Sequence, residues 1–146
     1  MTEAAYDHTT TTLPAPLEMY DLSLPVQHGL TTVHRCAQAL ADAGVNIDAV
    51  NYSAAQDVQS IHLLVQEGND ARDILQEAVA EGVTCRPVLV YTLPNRPGTL
   101  AQYAGALATA GVQIDFIYQA TAKGVVVAAP DLDAVRTAFT GASQCD

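Results

Sequence analysis

Tryptophan is absent from the 146 residues, phenylalanine occurs twice, and six lysines and arginines stand against sixteen aspartates and glutamates. The shortage of basic residues excludes the most. Arg35, Arg72, Arg86, Arg96, Lys123 and Arg136 are scattered, so no stripe can neutralise phosphates, and a formal net charge of -10 repels nucleic acid and anionic membranes alike. No apolar run approaches the ~20 residues that a membrane-spanning helix needs. Cysteine is also scarce. Cys36, Cys85 and Cys145 are odd in number and far apart, which fits reduced thiols better than a disulfide framework. Among His8, His28, His34 and His62 only His34 lies near a cysteine, Cys36, and the gap is too short for zinc-ligand spacing. No metal and no cofactor are expected. Met1 to Pro16 lacks the basic start and apolar stretch of a secretory signal, so a cytoplasmic location is expected. Alanine richness and arginine used over lysine suggest a GC-rich bacterial source.

What the chain does have is apolar content, 49 %, enough for a core. Residues 1–16, with the run Thr9 to Thr12, Pro14 and Pro16, cannot bury enough surface to offset ordering entropy and are predicted to be a disordered tail. Beyond them the chain repeats itself. Ala43-Gly44-Val45-Asn46-Ile47-Asp48 matches Ala110-Gly111-Val112-Gln113-Ile114-Asp115 at a displacement of 67 residues. Leu30, Val33, Ala37, Leu40 and Ala41 recur at helical spacing before the first anchor, as do Leu100, Tyr103, Ala104, Leu107 and Ala108 before the second. Gly44 and Gly111 suit the left-handed turn after a helix. The period then changes to two, through Val45, Ile47 and Ala49 or Val112, Ile114, Phe116 and Tyr118, which predicts strands. A tight connection, an antiparallel partner and a short second helix follow each time. The predicted unit is β-α-β-β-α, twice: residues 17–86 and 87–140, with a C-terminal tail at 141–146.

A ferredoxin-like βαββαβ unit needs a fourth strand, yet the linker Val83 to Leu93 has room for only one long strand. The predicted fold is therefore α+β, two tandem ferredoxin-like units with antiparallel sheets, helices on one face, and that strand shared. Its part before Pro87 closes the first sheet and its part after opens the second. The second unit's missing strand is expected from the first half of Leu17 to Leu24, in the same chain or a partner. The sheet face away from the helices, expected to carry Val50, Tyr52, Leu64, Ile117, Val126 and Ala128, is too apolar to face water. Another sheet or a second subunit must cover it, and a homodimer is expected.

The second repeat opens Leu93-Pro94-Asn95-Arg96-Pro97-Gly98-Thr99-Leu100, then a helix, then Gly111-Val112-Gln113-Ile114. This resembles the ACT family, whose units open with a strand, an Asn-x-Pro-Gly-x-Leu turn and a helix leading into a Gly-Val-x-Ile strand. The resemblance spans residues 17–140. It implies a non-catalytic regulatory protein that binds a small effector, an amino acid, at the strand-to-helix turn and the interface of paired units, and that acts in trans on an enzyme. On these matches Asn95, Arg96, Pro97, Gly98, Thr99 and Leu100 are the candidate ligand residues, joined by Asn46 and Gln113 on the Gly-Val-x-Ile strands. The first repeat has Val26-Gln27-His28-Gly29-Leu30 in the motif's place, read as a loop two residues longer without the Pro-Gly pair; Gln27, His28 and Gly29 are its candidates. The turn's chemistry agrees. Pro97 presets a first helical position, Gly98 leaves room for a ligand, and bare helix N–H groups with the positive end of the dipole attract a carboxylate.

Two other classes compete. A small cofactor-free enzyme, an isomerase or cyclase, fits such a scaffold, with His28, His34, His62, Asp48, Asp115 and Tyr118 as candidate acid-base groups, none in a recognisable pairing. No nucleophile elbow, phosphate loop or dinucleotide fingerprint occurs. A structural subunit that has lost ligand binding is the third.

Overall fold

Ten elements follow one another: β1 (Leu17–Pro25), α1 (Leu30–Asp42), β2 (Ala49–Ala55), β3 (Val58–Val65), α2 (Gly68–Val79), β4 (Thr84–Thr92), α3 (Thr99–Thr109), β5 (Phe116–Gln119), β6 (Gly124–Ala128) and α4 (Leu132–Gln144). This computed structural model describes residues 15–26, 28–55, 58–79, 82–121 and 124–144. The predicted tail at 1–16 lies outside them except for its last two residues. At the other end α4 continues through Gln144, so a tail does not begin at 141. Once nucleated, a helix gains a hydrogen bond per added residue without needing a further apolar face.

All strands are antiparallel, in the order β2-β3-β1-β4-β6-β5. The strand read from the linker is β4: Thr84 to Val90 pair with β1, and Leu89 to Thr92 with β6. β1 is shared in the same way, Tyr20 to Pro25 pairing with β3 and Leu17 to Ser23 with β4. Each long strand thus opens one ferredoxin-like unit and closes the other. The second unit's missing strand comes from the same chain, Leu17 to Tyr20 lying opposite Val90 to Pro87. Pro87 falls before the β6 ladder begins, where β4 has a neighbour on one side only and a missing N–H is tolerated.

The sheet cannot be flat. β3 and β5 are four strand spacings apart, roughly 19 Å at about 4.8 Å each. Yet the His62 and Phe116 rings, one from each, are 4.5 Å apart. The sheet therefore folds on itself about the β1–β4 pair, and its two halves meet back to back. Met19, Ala49, Leu64, Val88, Val90, Tyr118, Val126 and Ala128 form the core between them. On the outer faces α1 and α2 cover Leu22, Leu24, Ile61, Leu63 and Val65, while α3 and α4 cover Leu89, Tyr91, Val125 and Val127. The cover expected for Leu64, Val126 and Ala128 is thus the chain's own second sheet, and these three do not call for a second copy.

Val50, Tyr52 and Ile117 were expected on that back face and are not there. They lie opposite Leu63, Ile61 and Val127, on the helix side of the edge strands, and are exposed. The alternation shifts by one residue at Asp48 and Asp115, whose N–H groups bond Leu64 O and Ala128 O at 2.8 Å each. Val45, Ile47, Val112 and Ile114 therefore pack under the helices, whereas Ala49, Phe116 and Tyr118 face the inter-sheet core.

Both first helices end as the glycines predict. Gly44 and Gly111 have φ of 75° and 70°. Val45 N–H bonds Leu40 O and Gly44 N–H bonds Ala41 O, with Val112 to Leu107 and Gly111 to Ala108 repeating the pattern of a Schellman turn. The buried residues of α1 are Thr32, Cys36 and Leu40, and those of α3 are Thr99, Tyr103 and Leu107, again 67 apart. Leu30 and Leu100, expected in the apolar stripes, are instead 67 % and 60 % exposed at the helix starts. Val26 matches Leu93 in burial, so the repeats align without an insertion. The first loop is not two residues longer; α1 begins two residues earlier than α3 does.

Candidate ligand-binding site

After β4 the chain turns sharply into α3. Arg96 N–H bonds Pro94 O at 3.1 Å and Thr99 N–H bonds Arg96 O at 3.3 Å. Gly98, at φ 92°, occupies the left-handed region, and the helix starts at Thr99 with no side-chain cap. Pro97 therefore precedes the cap and is not the first helical residue. The glycine is needed because the chain reverses hand there.

Facing this turn is the edge strand β5. Between them lies a cleft of about 520 Å³, lined by Leu93, Pro94, Asn95, Arg96, Thr99, Leu100, Ile117, Tyr118, Gln119 and Val125. That volume is in the range of small-ligand sites. Among the described residues its lining has one basic group, Arg96, and none that is acidic. Thr99 is 5 % exposed, and its Oγ1 is buried without a hydrogen-bond partner among the described residues. A buried hydroxyl left unsatisfied costs about 1–3 kcal/mol.

Four of the sequence candidates, Asn95, Arg96, Thr99 and Leu100, meet in the cleft, with Pro97 and Gly98 shaping the turn. Gln113 is exposed and not among the lining residues. Asn46 donates to Asp48 Oδ1 at 2.8 Å in a different cleft, of about 710 Å³, which also holds Glu67, Asp70 and Asp73. Those carboxylates repel an anionic ligand. Among the described residues no group of three or more such side chains is placed to hold a metal ion. His28 and Gly29 sit at the start of α1, and Gln27 lies outside the described residues. Ile117 and Gln119 were missed. They face the turn only because β5 runs one position out of the phase its apolar residues suggest.

Of the acid-base candidates the structure pairs two, through a residue the sequence did not single out. Asp21, 0 % exposed, accepts a 2.6 Å hydrogen bond from Tyr118 O–H and lies 3.0 Å from His62 Nδ1. Burial, then the Asp21 charge and the bond to it, push the Tyr118 phenol far above its ordinary range. The three residues tie β1 and β3 of one half to β5 of the other. With the carboxylate sealed between sheets and its donors spent on it, the cluster is a clamp. Nearby Arg86 binds Asp115 at 2.8 Å and covers the Phe116 ring at 5.5 Å. His28 and His34 are exposed and apart from the clamp, and no described helix is long and apolar enough to cross a membrane.

This architecture, two ferredoxin-like units exchanging their long strands with helices outside, is the tandem ACT-like fold that the sequence resemblance implies. No protein-family model and no curated protein matches the sequence. Solved structures do match. A protein from Bacteroides thetaiotaomicron aligns at TM-score 0.68 and 21 % identity over 89 % of this chain and 95 % of its own. The ligand-free regulatory subunit of aspartate kinase from Thermus thermophilus aligns at TM-score 0.66 and 21 % identity, over 92 % and 98 %. Escherichia coli aspartokinase III in complex with lysine and aspartate aligns at TM-score 0.56 and 16 % identity, over 92 % of this chain and 32 % of that one. At these identities the likeness establishes the fold.

Proposed function

We propose that the chain is a non-catalytic regulatory module that binds an amino acid at the α3 tip and acts in trans on an enzyme. The observation that carries this is the cleft between the α3 tip and β5, where Arg96 is the one charged residue among the described lining. An α-carboxylate meets two attractions there: the positive end of the helix and the guanidinium. Asn95 and Gln119 offer both acceptors and donors for an ammonium or a polar side chain. The likeness to regulatory subunits of aspartate kinase supports the regulatory reading and its trans action, and a structure with bound lysine supports the ligand class. A homodimer remains the expected state. The exposed edge strands, β2 with Val50 and Tyr52 and β5 with Ile117, are the surfaces open to a second copy. Sedimentation of the purified chain at several concentrations checks that state.

The binding test is a thermal melt against the twenty amino acids. A ligand that binds only the folded chain stabilises it by about 2.7 kcal/mol at a hundred times its Kd. At least one amino acid is expected to raise the melting temperature of the wild type and to raise that of Arg96→Ala less. A melting temperature unmoved by all twenty overturns the reading.

A further inference from the structure

The first unit carries the same helix start, and there the tip is already filled. At a displacement of 67 residues Thr32 stands for Thr99, Gly29 for Arg96 and Tyr52 for Gln119. Thr32 Oγ1 accepts a 3.1 Å hydrogen bond from His28 N–H, where Thr99 Oγ1 has no partner among the described residues. Thr32 N–H bonds back to Gly29 O at 3.1 Å, as Thr99 N–H does to Arg96 O at 3.3 Å, and Thr31 N–H adds a bond to His28 O at 3.1 Å because α1 starts earlier. Tyr52 lies opposite Ile61, on the helix side of β2. Its hydroxyl comes so near Gly29 that a Cβ added there would stand 3.7 Å from it. Thus a phenol spans from the edge strand to the helix entry in the first unit, across the place where the second unit has a cleft between Gln119 and Arg96.

We propose that Tyr52 is a built-in occupant of the first unit's helix tip, so that each chain offers one ligand site and not two. The inference rests on reading the α3 tip as that site. Tyr52 bars entry by bulk, and Gly29 leaves the tip without the guanidinium that Arg96 supplies to its counterpart. A sequence change that writes the second unit into the first, Tyr52→Gln, then opens the α1 tip to a carboxylate.

Acetate, a carboxylate with nothing attached that could favour one unit, is the probe, titrated into the full chain with amide resonances followed residue by residue. In the wild type the Thr99 and Leu100 amides are expected to shift saturably while Leu30, Thr31 and Thr32 stay still. In Tyr52→Gln both sets shift, and the α3 response is unchanged. Tyr52→Thr, which keeps a strand-forming side chain, is expected to behave as Tyr52→Gln does and replaces it if that variant does not fold. A wild-type α1 tip that saturates with acetate as the α3 tip does overturns the inference. So does an α1 tip that stays silent in both variants while the α3 tip responds. Silence at the α3 tip in every protein defeats the site reading itself, and the inference with it.

Discussion

The two helix tips were built from one plan and have diverged in what they leave unsatisfied. In the first unit a threonine hydroxyl bonds His28 N–H and a tyrosine lies over the helix entry. In the second the matching hydroxyl has no partner among the described residues and the matching strand residue is a glutamine on a cleft wall. A fold places equivalent groups in equivalent positions; whether a position becomes a site depends on whether the chain's own atoms have already used it. The back-face position Asp21 makes the same point, since its counterpart 67 residues on is Val88, in the same inter-sheet core.

The most severe way to break the comparison is to make the halves alike at that position. Asp21→Val orphans the buried Tyr118 hydroxyl and strips His62 of its partner, and should cost about 3 kcal/mol in a denaturant titration. The tie between the halves makes this larger than any single tip change.

Next is Gly68, at the start of α2, where an added Cβ would meet the Tyr20 side chain at 2.6 Å and Cys85 Sγ at 2.7 Å. Gly68→Ala should cost about 2 kcal/mol through overpacking. Leu132, which opens α4 in the second unit, shows that the other half does not need such a close approach.

The tips themselves predict opposite signs. Thr99→Val removes an unsatisfied hydroxyl and should stabilise the unliganded chain by about 1 kcal/mol, whereas Thr32→Val breaks a hydrogen bond and should destabilise it by about 1 kcal/mol. Two melts in ligand-free buffer decide it, and equal signs would erase the distinction between the tips.

The smallest effect is alkaline. The raised Tyr118 pKa means that above an unfolded tyrosine's value near 10 the unfolded chain sheds a proton the folded chain keeps, so stability falls as pH rises. Tyr118→Phe should make that fall shallower by about 0.8 kcal/mol at about pH 10.5. Tyr91, Cys36 and Cys85, whose pKa values burial also raises, contribute to the remaining slope.

Much of this was legible in one dimension. The displacement of 67, the glycines after α1 and α3, the single strand in the linker and the Asn95 to Leu100 turn all follow from local chain properties: period, left-handed backbone preference and length. The phase of β2 and β5 was not legible. Asp48 and Asp115 shift the alternation by bonding Leu64 O and Ala128 O, carbonyls on strands reached only after a hairpin. That shift moves Tyr52, Ile117 and Gln119 to the helix side, so two residues of the cleft wall and the tyrosine at the first tip escaped prediction.

Sequence alone determined the duplicated unit, its helix ends and one bare-looking turn, because propensities and spacing act over a few residues. Tertiary structure decided that the two sheets cover each other, that Asp21 finds Tyr118 across 97 positions, and that one tip is filled while its twin stands open. Such outcomes depend on which atoms meet after the sheet has folded back, and no local pattern encodes that meeting.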